Sequence, residues 1–275
     1  MRQGVLLGGL LTNSESWINV SSQDISELEK PDTHLQRKVL DASASKAFMM
    51  LELGTIPVRF VIMKRRLQFL HYILQESTDT MLRQVYDTLK KDSRNGDFVA
   101  LVESDKKALQ IEITDEDITS VLKYSWKKYL KEKTKDAAFV YLMQENSSKE
   151  KTKHIQFDHL QMSQYLWDNE SRELSQTIFK IRSQTLDIKE WQPWKYHDNL
   201  CGKCETYSET MEHFVNCKAY GHETENSWKD IFEDNVSRQK EIGRFVKNRH
   251  KIRQEILDKK EVGQASVPAP FLQLL

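Results

Sequence analysis

Apolar residues in this chain recur at helical spacing far more than they alternate. Met63, Leu67, Leu70 and Leu74 stand at i, i+4, i+7 and i+11, with Ile62, Phe69 and Ile73 widening the stripe. Pro57 suits the opening of that segment, because the N–H a proline lacks has no partner in a first helical turn. The pattern predicts a helix over 57–75. Upstream, a short apolar helix breaks at Asn13-Ser14-Glu15-Ser16-Trp17. An acidic helix follows over Asp24–Lys30, with Ser22 as its N-cap and Pro31-Asp32-Thr33 as its interruption. A longer helix is expected over His34–Leu53, closed by Gly54. Thr80–Asp92 continues the helical pattern until Asn95-Gly96-Asp97 breaks it.

Thr114 can cap the next helix, and Asp115-Glu116-Asp117 in its first turn favours the positive end of the helix dipole. That helix is expected to reach Lys133. Further helices are expected over 159–167, 170–183, Glu223–Glu233 and Ser237–Lys259. Short strands fit Ile111–Ile113 or Ile155–Phe157. Gly263–Leu275, with Pro268 and Pro270, reads as a frayed tail.

Composition agrees with the periodicity. Of 275 residues 30% are charged, and Gly and Pro number only 9 and 5, which suits a mainly α fold. The polar run Lys149-Glu150-Lys151-Thr152-Lys153 reads as a joint. It divides a helical region over 1–145 from a second helical region over 155–260, with 261–275 disordered. No run approaches the roughly 20 apolar residues needed to span a bilayer. The start, Met1-Arg2-Gln3-Gly4-Val5-Leu6-Leu7, lacks the cleavage site and basic flank of a secretory signal. An intracellular protein, cytoplasmic or nuclear, without a membrane partner is the expectation.

Net charge is zero, so affinity for a polyanion would come from local patches. Lys123–Lys135 holds six lysines and one acid, and Arg238–Arg253 holds seven basic residues and one acid. Arg59, Lys64, Arg65 and Arg66 form a third cluster with no acid among them. Each run alone reads as a solvated helix face.

All three cysteines fall within 17 positions, as Cys201-Gly202-Lys203-Cys204 and, after eight further residues, His213-Phe214-Val215-Asn216-Cys217. This is C-x2-C-x8-H-x3-C. A tight turn can aim the first two sulfurs at one ion, and a helix would present His213 and Cys217 on one face. Four such ligands close a tetrahedron and leave no position for water, so the expected Zn2+ is single and structural. An odd cysteine count argues against a disulfide framework. His197, His222 and His250 lie nearby without ligand spacing.

Several strings resemble the C-terminal, post-palm part of a non-LTR retrotransposon reverse-transcriptase polyprotein. They are Arg2-Gln3-Gly4-Val5-Leu6-Leu7, Leu11–Trp17, Leu51-Glu52-Leu53-Gly54-Thr55-Ile56-Pro57-Val58-Arg59, Arg65–Leu70 and Phe179–Ser183. The cysteine–histidine cluster joins them, with Glu209 before His213 and Tyr220 after Cys217. The resemblance implies a helical thumb-like and linker domain, then a small CCHC zinc knuckle at 201–217 and C-terminal helices. The polymerase's Tyr-x-Asp-Asp turn is absent, and no Pro-Asp … Asp/Glu-x-Lys nuclease arrangement follows the cluster. The implied role is therefore non-catalytic gripping of RNA or DNA, with no small-molecule substrate and with an upstream polymerase domain in any longer polyprotein. Arg59, Lys64, Arg65, Arg66, Lys203 and Lys218 are the candidate nucleic-acid contacts. The alternative is a zinc-stabilised protein–protein interaction module from a domesticated or decayed retroelement.

Overall fold

The computed structural model describes residues 7–265 apart from 19, 93, 95, 168–169 and 222–226. The architecture is mainly α. The chain packs as two units, Met1–Val39 with Ser45–Ser163, and Leu40–Ala44 with Gln164–Leu275. The first contains α1 (Leu7–Leu10), α2 (Ser22–Leu40, its last residue falling to the second unit), α3 (Lys46–Glu52), α4 (Val58–Gln75), α5 (Met81–Lys91), α6 (Phe98–Ala108), α7 (Asp115–Ser120) and α8 (Lys123–Ser147). The second contains α9 (Gln164–Trp167), α10 (Arg172–Arg182), α11 (Met211–Asn216) and α12 (Val236–Ala265). Among the described residues β pairing is limited to two isolated bridges, so neither short strand forms.

The first unit is built on α4. Its apolar stripe buries Leu67, Leu70, Ile73 and Leu74. Across from it α8 turns in Trp126, Leu130, Thr134, Ala138, Leu142 and Asn146, a ridge of every fourth residue. Trp126 donates its indole N–H to the Leu67 carbonyl at 3.1 Å and stacks on His71. The large ring is thus buried with its one polar atom satisfied. Arg66 is also turned inward, 5% exposed, and donates to Asp105 of α6 at 2.7 Å and to the Trp17 carbonyl at 3.2 Å.

Several boundaries depart from the sequence expectation, each for a local reason. Pro31 does not interrupt α2, which runs unbroken from Ser22 to Leu40. Glu29, Asp32, Gln36 and Leu40 share one buried face at i, i+3, i+7 and i+11, and Pro31 is exposed on the other. Packing holds the helix where the proline removes one ladder bond. Its cap is Ser21, not Ser22: the Ser21 hydroxyl accepts from Asp24 N at 3.1 Å, and the Asp24 carboxylate accepts from Ser21 N at 2.9 Å. The helix expected over 34–53 is two helices. Asp41 adopts φ 51°, and the Ser45 side chain caps α3 by accepting from Phe48 N.

The segment after Asp97 was not foreseen as helical, yet Asp97 caps α6 by accepting from Ala100 N at 2.8 Å. The helix expected over 114–133 splits at Val121–Leu122, and α8 then continues to Ser147. The expected joint over 149–153 is a closed turn inside the first unit. There the Thr152 hydroxyl donates to Asn146 Oδ1 at 2.6 Å, and Asn146 Nδ2 returns a bond to the Thr152 carbonyl at 3.0 Å. The contact boundary falls after Ser163.

Of 159–167 only Gln164–Trp167 is helical, and Trp228–Phe232 is a single 3-10 turn. α12 keeps its helix to Ala265, into the stretch expected to be disordered from 261, and the other expectations over 1–6, Asn95, His222–Asn226 and 266–275 lie outside the described residues. No helix among the described residues is long and apolar enough to cross a membrane.

Candidate metal centre

The second unit places Cys201, Cys204, His213 and Cys217 together. Their four ligand atoms all lie within 4.8 Å of one another. Cys201 Sγ and Cys217 Sγ are 3.9 Å apart, and Cys204 Sγ is 3.3 Å from His213 Nε2. The first two cysteines sit on a turn that Cys201 N closes by donating to the Tyr207 carbonyl at 2.7 Å. Glu205, just after Cys204, takes the left-handed conformation at φ 55° and donates back to the Cys201 carbonyl at 3.0 Å. Thr210 caps α11 by accepting from His213 N at 3.0 Å. The helix carries His213 about one turn before its C-cap, Cys217, which brings the two side chains to the same end of α11. No other group of three or more candidate ligands occurs among the described residues, and His197 and His250 stand apart from this one.

The surroundings split the thiols. Burial pushes Cys201 up to about 11, against its backbone donors. At Cys204 burial also raises the pKa, but the N–H groups of Thr206 and Tyr207, the His213 ring and Cys201 outweigh it and hold the thiol at about 6. Cys204 is the half-exposed member.

Glu209 supports the turn from behind. It is 1% exposed, and its carboxylate accepts from Gly202 N at 3.1 Å, from Lys189 N at 3.0 Å and from Arg253 Nε at 2.8 Å. Arg253, on α12, has a fully buried side chain and lies over the Tyr196 ring. Arg249, one turn earlier, donates to the Phe214 and Cys217 carbonyls at 3.0 and 3.1 Å, tying down the end of α11. Both arginines were visible only as part of a basic run. Their four-residue spacing on a helix was the available signal.

That run is largely engaged inside the fold. Arg238 pairs with Asp230, Lys240 and Arg244 with Glu170, and Lys247 with Glu173. The candidate contacts on α4 are engaged likewise. Arg65 donates to the Leu11 carbonyl, Arg66 to Asp105, and Arg59 lies over the Tyr141 ring at 4.9 Å. Arg66 in particular has no free face for a phosphate. Lys64 is half-buried, whereas Lys203 and Lys218 are exposed beside the metal ligands. The geometry brings only Lys203 and Lys218, of the six, to the cysteine–histidine cluster. Trp191 is buried against Trp228, while Trp194 is 73% exposed.

No family model, curated protein or solved structure matches this chain.

Proposed function

We propose that the chain is a non-catalytic nucleic-acid-binding module, of the kind found after the palm of a retrotransposon reverse transcriptase, whose second unit is organised by one structural Zn2+. The donor set supports zinc: three thiolate sulfurs and one imidazole nitrogen are the ligands of closed structural sites. A Zn–S bond of about 2.3 Å sets an S···S edge of roughly 3.8 Å in a tetrahedron, close to the 3.9 Å between Cys201 and Cys217. The ion would stabilise the turn and α11; this chain's own residues would do the binding.

The observation that carries the nucleic-acid reading is the exposed face of the turn. Tyr207 is 65% exposed and leans on the His213 ring at 5.4 Å, with exposed Lys203 on the same turn. A ring held by a metal ligand loses little freedom on stacking, and a base stacked on it contributes about 1–3 kcal/mol. A second reading, a protein partner, rests on exposed Leu200 beside Tyr207. Binding of the zinc-loaded chain to a labelled structured RNA across a salt series separates them. Affinity that falls steeply with salt, and is lost in Cys204→Ala and weakened in Tyr207→Ala, is the expected result. Absence of binding at low salt by the folded, metal-loaded protein would sink the proposal.

A further inference from the structure

The first unit carries a second surface with a different character. On α8, Lys123, Lys127 and Lys131 stand four residues apart on one flank, all exposed and without an acidic partner among the described residues. Their spacing along the helix axis is about 6 Å per step. The opposite lip is α4, where Lys64, Gln68 and Tyr72 repeat at the same interval. The two lips meet. Gln68, His71, Tyr72 and Gln75 line one cavity of about 390 Å³ together with Lys123, Trp126 and Lys127. One turn further along, Lys131 lies close enough to Lys64 to help burial and Arg65 depress its pKa. Cations that line a cleft focus the field there and raise the local concentration of an anion.

We propose that this α4–α8 groove binds a single-stranded nucleic acid, its phosphates on Lys123, Lys127 and Lys131 and one base in the cavity against Tyr72. The inference rests on the nucleic-acid reading above and gives it a site in the other unit. Three features favour a single strand over another polyanion. The lysine step is close to the phosphate repeat of an extended strand. Tyr72, 50% exposed, offers a ring face at the cavity. The Gln68 side-chain amide has no hydrogen-bond partner among the described residues and can meet a base edge. The one carboxylate at the cavity, Glu76, is turned to the Tyr72 hydroxyl.

The test uses the full zinc-loaded chain and a labelled 12-nucleotide uridylate strand, titrated across a salt series. Lys127→Ala/Lys131→Ala is compared with Lys91→Ala/Lys107→Ala, a charge-matched pair elsewhere on the same unit. The expected result is a log–log salt slope shallower by about 1.4 in the groove variant, since each lost phosphate contact on a single strand removes about 0.7. The control pair keeps the parent slope. Tyr72→Ala weakens binding and leaves the slope unchanged. Equal slopes in both double variants, with binding intact, would overturn the groove and leave the nucleic-acid reading standing. Absence of binding by the parent chain would overturn both. Competition by polyglutamate as effective as by the unlabelled strand would also overturn it, because a chain without bases would then be recognised equally well.

Discussion

Single residues show how closely the backbone is specified. Gly54 has φ +59°, and a Cβ there would stand 2.3 Å from Met162 N and 2.4 Å from Gln161 C. The neighbours are backbone and cannot swing aside. Gly54→Ala is expected to destabilise the first unit by more than the roughly 1–2 kcal/mol of a left-handed residue alone, measured by urea denaturation. Glu209 is the corresponding position in the second unit. Glu209→Ala removes the acceptor of two backbone N–H groups and leaves Arg253 buried without its partner. A loss of about 3–5 kcal/mol in stability is expected. Metal affinity should fall about 10- to 100-fold, as when an outer-layer partner of a ligand turn is removed, read by competition with a chromogenic chelator. The cysteine–histidine group was legible in the sequence because soft donors at fixed spacing have few other uses. Arg249 and Arg253 were not, since a helix that buries arginines and one that solvates them can share a charge run.

Elements follow packing more than punctuation. Pro31 marks a break by every local rule, yet α2 passes through it because its buried face continues on both sides. Proline in a helix interior is about 3 kcal/mol less favourable than alanine. Pro31→Ala restores the missing N–H at an exposed position and is expected to raise the melting temperature of the first unit, followed by circular dichroism. A lower melting temperature would mean that the chain needs the bend. Gly243 shows the same priority in the second unit. A Cβ there would lie 2.6 Å from Ile178 Cγ1 and 3.0 Å from Leu174 Cδ1, so α12 and α10 pack at closest approach. Its position inside a helical pattern gave no hint of this, because the glycine serves a neighbour distant in sequence. Asp97 and Ser45 are the converse: short polar residues whose cap geometry is local, and whose helices could have been read from them.

At the scale of the molecule, the two units should answer acid differently. Asp105 is pushed up to about 6 by burial, which outweighs the Arg66 ion pair beside it. A carboxyl with its folded pKa above the unfolded 3.8 contributes stability that is complete below pH 3.8 and lost as pH rises through about 6. The first unit should therefore gain from Asp105 as pH falls from 7 to about 5, and Asp105→Asn should remove that slope. Asp115 opposes it further down. Burial raises it, but Lys90, Tyr86 and Lys106 outweigh this and hold it at about 2, so its contribution is lost as pH falls from about 3.8 to 2. In the second unit His250 is depressed by burial, so protonation favours the unfolded chain and stability falls as pH drops below 6.5. Denaturation followed unit by unit through amide exchange at pH 7 and pH 5 tests the opposed signs. Excess chelator at pH 7 should lower protection in 189–220 and leave the first unit unchanged, because its core contains no candidate ligand group among the described residues.

The sequence alone determined the helical class, the α4 stripe, the Thr114 cap and the cysteine–histidine group that could hold a metal ion. Each of these depends on residues close together in the chain, 17 positions at most for the cysteine–histidine group, and periodicity or donor spacing records them directly. Only the tertiary structure decided which cations are free. Arg59, Arg65 and Arg66 look like a surface cluster in the chain but meet Tyr141, Leu11 and Asp105 in the fold, whereas the Lys123–Lys131 flank faces outward across from α4. The reason is physical: a charge run states how many cations a helix carries, and the groups that engage Arg66 and Arg65 lie 39 and 54 residues away, that of Arg59 further still.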